Sequence, residues 1–562
     1  MADDTARDDD PTVRFGVDPN RYRHWSVSVD GEVATVTMSV DPGGGLRGDY
    51  ELKTNSYDLR VDIELHDIVQ RLRFEHPAVR AVVLTGGLDK IFCAGANIQM
   101  LATSSHGHKV NFCKFTNETR NAIEDATMHS HQTWIAAVNG TAAGGGYELA
   151  LACDEILLID DRASTVSLPE VPLLAVLPGT GGLTRVVDKR RVRRDLADVF
   201  ATRTEGVKGE QAVEWRLVDA VAPKSDFAEL VAGRAATRAA GSDRPEDAEG
   251  IRLPVFGTTT TIDGDTLRST WVDVDIDREL GAATFTVRAP ATPQPGDARD
   301  LVDVGAEAWL IGAALELDHA MLHLRFNETT IGTWVLRTEG STDDVLAAEA
   351  VLAREPEHWL VREVRLLWAR TLVRLDLSSR SIVALVDVGS CFAGTLAELM
   401  LAADRSLMLD GTRDGSDLPA PTIVLTDANL GWYPTSNGRS RLATRFWGRD
   451  DAFGVARELV GKDVVAADAA RAELVTFALD DIDWDDEVPV MLEERASFSP
   501  DALTAMEANL RFVGPETTTT KIFARLTAWQ NWVFQRPNAV GPDGALRRFG
   551  TGSRPDYDPH RV

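Results

Sequence analysis

The chain has 562 residues, 44% hydrophobic and 26% charged, and this composition predicts a globular protein of at least two domains. Its formal net charge of −28 repels phosphate backbones and anionic lipids, so we expect no nucleic-acid or membrane partner. The acidic start lacks an apolar stretch, which predicts an acidic tail over residues 1–20 rather than a signal peptide. Four cysteines without zinc or disulfide spacing favour a reducing, cytoplasmic location: Cys93, Cys113, Cys153 and Cys391.

Strand and helix signals alternate along the first half of the chain. Residues 25–29 and 33–40 alternate apolar and polar side chains around Asp30-Gly31, which predicts a β-hairpin. Apolar residues then recur at helical spacing between Val61 and Leu72. Short apolar runs that predict further strands follow at residues 80–85, 134–139 and 155–159. This series indicates an α/β fold whose sheet has crossover helices.

The second half of the chain repeats the first. A shift of 250 positions places Ala393-Gly394 and Glu398-Leu399 on Ala143-Gly144 and Glu148-Leu149, which one duplicated domain explains. The polar stretch after residue 240 marks the boundary between the copies. We therefore predict five segments: the tail, a catalytic domain over 21–240, a linker over 241–255, a degenerate second domain over 256–488 and a helical extension over 489–562.

Two glycine-containing loops carry the strongest chemical signal. They cover residues 92–98 (Phe-Cys-Ala-Gly-Ala-Asn-Ile) and 138–149 (Val-Asn-Gly-Thr-Ala-Ala-Gly-Gly-Gly-Tyr-Glu-Leu), and each follows a predicted strand. Glycine and alanine leave backbone N–H groups uncovered, and the triple glycine opens a helix whose positive dipole end favours an anion. Together the loops could hold a thioester enolate.

This pattern of loop, triple glycine and glutamate resembles the crotonase, or enoyl-CoA hydratase/isomerase, superfamily over roughly residues 21–240. The resemblance implies tandem crotonase-like domains of the ββα spiral type, the second degenerate. It also implies that the N–H groups of Ala96 and Gly145 form an oxyanion hole. The residues that it implies for contacts with coenzyme A are Lys53, Asn55, Ala94 (through its carbonyl), Asn97, Ile98 and Gly144.

Two glutamates complete the predicted catalytic set. Glu148 follows the triple glycine after one intervening residue, and Glu170 lies 22 residues further on, as in the hydratase branch of the superfamily. Two carboxyl groups near a water can act as base and acid if their surroundings separate their pKa values. Cys113 follows the first loop on a segment that borders the acyl pocket in the superfamily, so it is a third candidate, against the alternative of a small buried hydrophobe.

A narrower resemblance extends over nearly the whole chain. The tandem layout, residues 52–59 (Leu-Lys-Thr-Asn-Ser-Tyr-Asp-Leu) and residues 528–540 are similar to the benzoyl-CoA-dihydrodiol lyase family. This implies ring opening of 2,3-epoxy-2,3-dihydrobenzoyl-CoA with two waters, giving 3,4-dehydroadipyl-CoA semialdehyde and formate in aerobic CoA-dependent benzoate degradation. Coenzyme A enters only as part of the substrate, and the resemblance implies no cofactor or metal. The alternatives are an enoyl-CoA hydratase/isomerase acting on another acyl-CoA and a non-catalytic acyl-CoA-binding scaffold.

The second half lacks most of this machinery. The triple glycine becomes Gly394-Thr-Leu396 and no counterpart of the first loop follows Gly340, so we expect bulky side chains to crowd that site and Glu398 to serve packing or a local hydrogen bond. The aromatic residues Trp529, Trp532 and Phe534 of the helical tail predict a homodimer interface.

Overall fold

The computed structural model describes residues 12–562, which form two compact units. The first unit ends at Phe256, and the second spans Gly257–Val562. Among the described residues, no helix has the length and apolar character needed to cross a membrane.

The first unit contains eleven strands and nine helices among its described residues. The strands are β1 (Trp25–Asp30), β2 (Val33–Met38), β3 (Ser56–Tyr57), β4 (Ala81–Gly86), β5 (Lys90–Cys93), β6 (Gly95–Ala96), β7 (Thr133–Val138), β8 (Gly140–Ala143), β9 (Glu155–Asp160), β10 (Val166–Ser167) and β11 (Ala220–Pro223). The helices are α1 (Leu59–Phe74), α2 (Ile98–Thr103), α3 (His106–His129), α4 (Gly145–Ala152), α5 (Glu170–Leu174), α6 (Gly182–Thr184), α7 (Arg194–Ala201), α8 (Gly209–Glu214) and α9 (Phe227–Ala240). A 3₁₀ turn (Pro19–Arg21) and a π-helical turn (Arg185–Lys189) complete the set.

A six-stranded sheet with the order β1-β2-β4-β7-β9-β11 forms the centre of the first unit. The predicted hairpin is confirmed, since β1 and β2 pair antiparallel, whereas all the following pairs are parallel. Strands β4, β7 and β9 are buried along almost their whole length, because elements cover both faces of the sheet. The predicted first helix is also confirmed, and Asp58 caps it by accepting the N–H groups of Arg60 and Val61.

Two small sheets position the glycine-containing loops. Strands β10, β8 and β5 form a parallel three-stranded sheet, and β3 pairs with β6. Strand β5 leads into the first loop, and β8 leads directly into α4. The ends of both loops therefore lie beside each other at one edge of the unit.

The two segments expected to flank the catalytic domain belong to the first unit. The first 11 residues of the predicted acidic tail lie outside the described chain, but Val13 and Phe15 are buried and the Phe15 ring packs against Phe115. The predicted linker is not a free connection either. Arg244 is buried and donates to the carbonyls of Arg73 and Pro77. These carbonyls lie at and just after the end of α1, where the helix itself leaves them without a donor.

The second unit contains the remaining ten strands and fourteen helices of the described chain. The strands are β12 (Thr261–Asp263), β13 (Thr266–Arg268), β14 (Val272–Asp277), β15 (Ala282–Arg288), β16 (Thr333–Glu339), β17 (Ser381–Val386), β18 (Arg405–Leu409), β19 (Ile423–Val424), β20 (Asp463–Val464) and β21 (Phe477–Leu479). The helices are α10 (Ala298–Val304), α11 (Trp309–Asn327), α12 (Thr342–Arg354), α13 (Trp359–Leu377), α14 (Gly394–Ala402), α15 (Arg441–Arg445), α16 (Asp450–Glu458), α17 (Ala466–Arg471), α18 (Asp481–Ala496), α19 (Pro500–Leu510), α20 (Thr518–Thr520), α21 (Thr527–Val533), α22 (Pro537–Val540) and α23 (Ala545–Arg548). Two 3₁₀ turns (Gly305–Glu307 and Asp427–Leu430) and a π-helical stretch (Lys521–Leu526) lie between them.

From β14 onward, the main sheet of the second unit has the same sequence of strand directions as the main sheet of the first. Its order is β12-β13-β14-β15-β16-β17-β18-β21, in which β14 and β15 form an antiparallel hairpin and the strands from β15 onward pair parallel. Helix α14 follows β17 as α4 follows β7 and β8. The internal repeat seen in the sequence thus corresponds to a repeated topology.

The predicted start of the helical extension at Pro489 falls inside α18. Proline removes one helical hydrogen bond at a cost of about 3 kcal/mol, yet Pro489 lies on the exposed side of the helix. On the opposite side of the helix, Trp484 and Val488 are buried in an apolar core together with residues of strands β16, β17 and β18. Their burial anchors α18 to the sheet, so residues 481–562 continue the second unit.

Candidate active site

The two glycine-containing loops meet at Gly95. This residue has φ +89°, and a side-chain carbon placed on it would lie 2.8 Å from the Ala143 carbonyl oxygen and 2.9 Å from the Gly145 nitrogen. Only glycine permits both the backbone conformation and this close approach. The peptide groups around Ala96 and Gly145, predicted to donate to one oxyanion, therefore lie close together.

At each position of the triple glycine, a side chain would collide with a different neighbouring group. Gly144 has φ +54°, which favours glycine on conformational grounds as well. A side-chain carbon would meet the Glu170 carboxylate at Gly144 (2.7 Å), the Tyr57 hydroxyl at Gly145 and the Cys93 carbonyl at Gly146. The motif thus packs three separate elements around the start of α4.

Glu148 is almost fully buried in the first turn of α4, with 2% of its surface exposed. Its Oε1 accepts the N–H groups of Thr180 (3.0 Å) and Gly182 (2.7 Å), and its Oε2 accepts the Thr180 hydroxyl. A carboxylate that accepts several such hydrogen bonds is held in one orientation. The side chain is therefore fixed as an acceptor beside the predicted oxyanion hole.

Glu170 has a contrasting environment at the start of α5. Burial, together with the nearby charge of Glu148, raises the pKa of Glu170 to about 7. Its Oε2 is buried and has no hydrogen-bond partner among residues 12–562. The two carboxyl groups are thus brought together but differ in their surroundings, as an acid and base pair requires. Their catalytic roles stay predictions.

Cys113 lies in α3 beside the loop that holds Glu148. Its sulfur is 3.6 Å from the position that a side-chain carbon on Gly179 would take. Burial and the charge of Glu148 raise the pKa of the Cys113 thiol to about 11. A raised pKa favours the neutral thiol over the thiolate. A catalytic role of Cys113 stays a prediction.

Two side chains predicted to contact coenzyme A point into the protein instead. The buried Asn55 side chain accepts the N–H of Val40 and donates to the carbonyls of Met38 (2.9 Å) and Phe92 (3.0 Å). Asn97 caps α2 by accepting the N–H of Met100, a local backbone role that Asn and Asp favour at helix starts.

The other predicted contact residues differ in their exposure. Lys53 is 74% exposed and pairs with Glu51, and Ala94 and Ile98 are exposed at the first loop. These three remain accessible to a ligand. Gly144, by contrast, is buried beneath Glu170. Ligand contact at all four positions stays a prediction.

A clamp on the loop over residues 179–182 was not recognised in the sequence. Arg185 donates to the Thr180 carbonyl (3.0 Å) and pairs with Glu124 of α3, while Asn117 of α3 donates to the Gly179 carbonyl (3.1 Å). The loop that orients Glu148 is thus tied to α3. The only sequence signal was the glycine-rich stretch after Pro178, because the partners lie more than 60 residues away.

The corresponding place in the second unit is occupied by a side chain of the same unit. Gly394 has φ +48°, close to that of Gly144, but the N–H and hydroxyl of Thr395 donate to the Glu349 carboxylate (2.5 and 2.6 Å). Glu398 is held by Asn429 and Arg441. The site is therefore filled by a buried carboxylate of the same unit, which accepts the N–H group that would otherwise face a ligand. Glu398 forms local hydrogen bonds, one of the two roles expected for it.

Comparison with known proteins defines the class first. The enoyl-CoA hydratase/isomerase family profile matches residues 51–243, the part of the chain that carries both loops and both glutamates. An enoyl-CoA hydratase/isomerase of Bacillus subtilis strain 168 is 37% identical over 163 residues, covering 29% of this chain and 59% of that protein. The crystal structure of an enoyl-CoA hydratase from Geobacillus kaustophilus is 30% identical, with a TM-score of 0.34, and covers 39% of this chain and 75% of that one.

A full-length relative defines the family more closely. The benzoyl-CoA-dihydrodiol lyase of Aromatoleum evansii is 53% identical over 551 residues, which cover 98% of both chains. The chain therefore belongs to the benzoyl-CoA-dihydrodiol lyase family of crotonase-type enzymes. The predicted crotonase-like α/β fold is confirmed.

Proposed function

We propose that the protein opens the ring of 2,3-epoxy-2,3-dihydrobenzoyl-CoA. Two waters are consumed, and the products are 3,4-dehydroadipyl-CoA semialdehyde and formate. The contrast between Glu148, which accepts three hydrogen bonds, and Glu170, whose pKa is raised to about 7, carries this proposal. Membership of the family and the full-length likeness to a benzoyl-CoA-dihydrodiol lyase support the choice of substrate.

The chemistry divides between the two loops and the two carboxyl groups. The N–H groups of Ala96 and Gly145 bind the thioester oxygen and stabilise the enolate that forms when the ring is attacked. Glu148 accepts a proton from water, and protonated Glu170 donates one to an oxygen or carbon of the ring. The reaction is redox-neutral overall, so it needs no redox cofactor, and we propose that it needs no metal either.

The test is formate release. Purified protein incubated with the epoxidised benzoyl-CoA should release one formate per thioester consumed, and prior treatment with a chelator should leave the rate unchanged. Crotonyl-CoA serves as the comparison substrate. Hydration of crotonyl-CoA without formate release from the epoxide would favour the enoyl-CoA hydratase alternative. Tight binding of both thioesters without any product would favour the acyl-CoA-binding scaffold.

The raised pKa of Glu170 predicts a pH dependence. If Glu170 acts as the acid, its protonated form is required, so kcat/KM should be highest below pH 7 and fall about tenfold per pH unit well above it. The measurement is kcat/KM for formate release between pH 6 and 9. A flat profile across that range would contradict the assignment of Glu170 as acid.

We also propose that the protein is a cytoplasmic homodimer. The four cysteines are free thiols, which fits a reducing location. The helical stretch over residues 518–533 has no buried residue, and its Ile522, Phe523 and Leu526 side chains are exposed. Of the aromatic residues expected at the interface, Phe534 is exposed, whereas Trp529 and Trp532 are half-buried and pack against each other. Exposed apolar side chains in such a row indicate a surface that a second chain covers.

Replacing Phe523, which is 71% exposed, by aspartate should shift the protein from dimer to monomer. The matched control is Phe477→Asp on the edge strand β21, whose side chain is 54% exposed. Sedimentation or light scattering measures the mass. A wild-type protein that is already monomeric at micromolar concentration, or a Phe523→Asp protein that remains dimeric, would refute this interface.

A further inference from the structure

Behind the first turn of α4 lies a fully buried arginine that the proposed reaction does not yet use. Arg120 of α3 has no exposed surface, and its guanidinium donates to the Tyr57 hydroxyl (3.0 Å), the Gly145 carbonyl (3.2 Å) and the Thr116 carbonyl (3.2 Å). Among residues 12–562 its Nε has no hydrogen-bond partner. None of these three hydrogen bonds ends on a carboxylate.

Such an environment is costly for a charged group. Arginine stays protonated in proteins, and burial of a charge without a directly paired counter-ion is unfavourable. Asp62 and Glu148 act on Arg120 only through space, and the Asp62 carboxylate accepts the Thr116 hydroxyl instead. Burial alone would lower the pKa of Arg120, but the surrounding groups, Tyr57, Asp62 and Glu148 among them, raise it overall. The guanidinium is therefore a fixed positive charge behind the start of α4.

Tyr57 links this charge to both loops. Its backbone lies in β3, which pairs with β6, and its carbonyl accepts the N–H of Asn97 (2.8 Å), so it holds the first loop. Its hydroxyl lies where a side chain on Gly145 would be and accepts the hydrogen bond from Arg120. Arg120 and Tyr57 together thus contact both halves of the predicted oxyanion hole.

We propose that Arg120 is a positioning residue of the oxyanion hole, which orients the Gly145 backbone through its carbonyl and supplies a fixed positive charge behind the bound thioester oxygen. The inference rests on the proposed function, in which that oxygen becomes an enolate. A charge that is already in place stabilises the developing anion more than the neutral thioester, so it lowers the barrier more than it tightens substrate binding.

The test uses a thioester that binds but does not react. Benzoyl-CoA with a ¹³C-labelled carbonyl lacks the epoxide, and its carbonyl stretch falls when the surrounding charge polarises the bond. Infrared difference spectra are recorded for the wild type and for Arg120→Met, Arg120→Lys and Tyr57→Phe, with kcat and KM for formate release in parallel.

We expect the wild type to lower the stretch relative to free benzoyl-CoA and Arg120→Met to abolish most of that shift. In Arg120→Met, kcat should fall roughly 100-fold while KM changes less than about threefold. Arg120→Lys and Tyr57→Phe keep the charge and should keep most of the shift. If Arg120→Met does not fold, those two variants decide, because a purely structural arginine predicts that the shift is lost in Arg120→Lys.

The outcomes separate this inference from the proposed function. Arg120→Met with a wild-type carbonyl stretch, or Arg120→Lys with the shift lost, overturns the role of Arg120 alone. A wild type that leaves the stretch at its free value overturns the oxyanion hole itself and hence the reaction through an enolate.

Discussion

Glu148→Gln should reduce formate release by about 10³-fold or more, and Glu170→Gln by about 10²-fold to 10⁴-fold. Glutamine keeps the size of the side chain but cannot accept or supply the proton. Both variants should still bind benzoyl-CoA within a few-fold of the wild type, because the backbone donors of Ala96 and Gly145 remain. Stopped assays for formate and equilibrium binding of benzoyl-CoA measure the two effects separately.

The second unit offers a matched control for these substitutions. Glu398 lies in α14 where Glu148 lies in α4, and it is equally buried. Glu398→Gln weakens the pair with Arg441, so it should lower the thermal midpoint, yet the folded fraction should keep the wild-type kcat. A loss of turnover in Glu398→Gln equal to that in Glu148→Gln would place catalysis elsewhere and contradict the assignment.

Gly146→Ala should destabilise the protein by about 2 kcal/mol or more and reduce turnover about 10²-fold. An alanine at this helical position would ordinarily stabilise by about 0.5–1 kcal/mol. Here the added methyl group would overlap the Cys93 carbonyl, a backbone atom that cannot rotate away. Relief of the overlap must move β5 and the first loop away from α4, which separates the two predicted oxyanion donors.

The control for Gly146→Ala is a helical glycine with free space around it. Gly233 lies in α9, and, apart from its chain neighbours and the backbone of its own helix, no heavy atom lies within 4 Å of where its side-chain carbon would be. Gly233→Ala should therefore stabilise the protein slightly and leave turnover unchanged. Thermal or denaturant unfolding and kcat for formate release give both comparisons. A rise in stability in both variants would contradict the steric role of Gly146.

Most of the fold could be predicted because its signals are local. The β1–β2 hairpin followed from alternation around Asp30-Gly31, and α1 followed from apolar spacing within 16 residues. The tandem arrangement followed from a repeated motif. The limits of the tail, the linker and the extension were harder to predict from the sequence. They depend on which residues of these polar segments become buried against the rest of a unit. Burial of Phe15 and Arg244 illustrates this.

The sequence by itself determined which groups are proposed for catalysis: two backbone-exposing loops and the Glu148 and Glu170 pair, whose spacing along the chain is a local property. The tertiary structure alone decided how these groups are tuned. It brought Arg120 to Tyr57 across 63 residues, turned Asn55 inward and placed Glu349 against Thr395. It also raised the pKa of Glu170, since burial and the approach of a second carboxyl group exist only once the chain has folded.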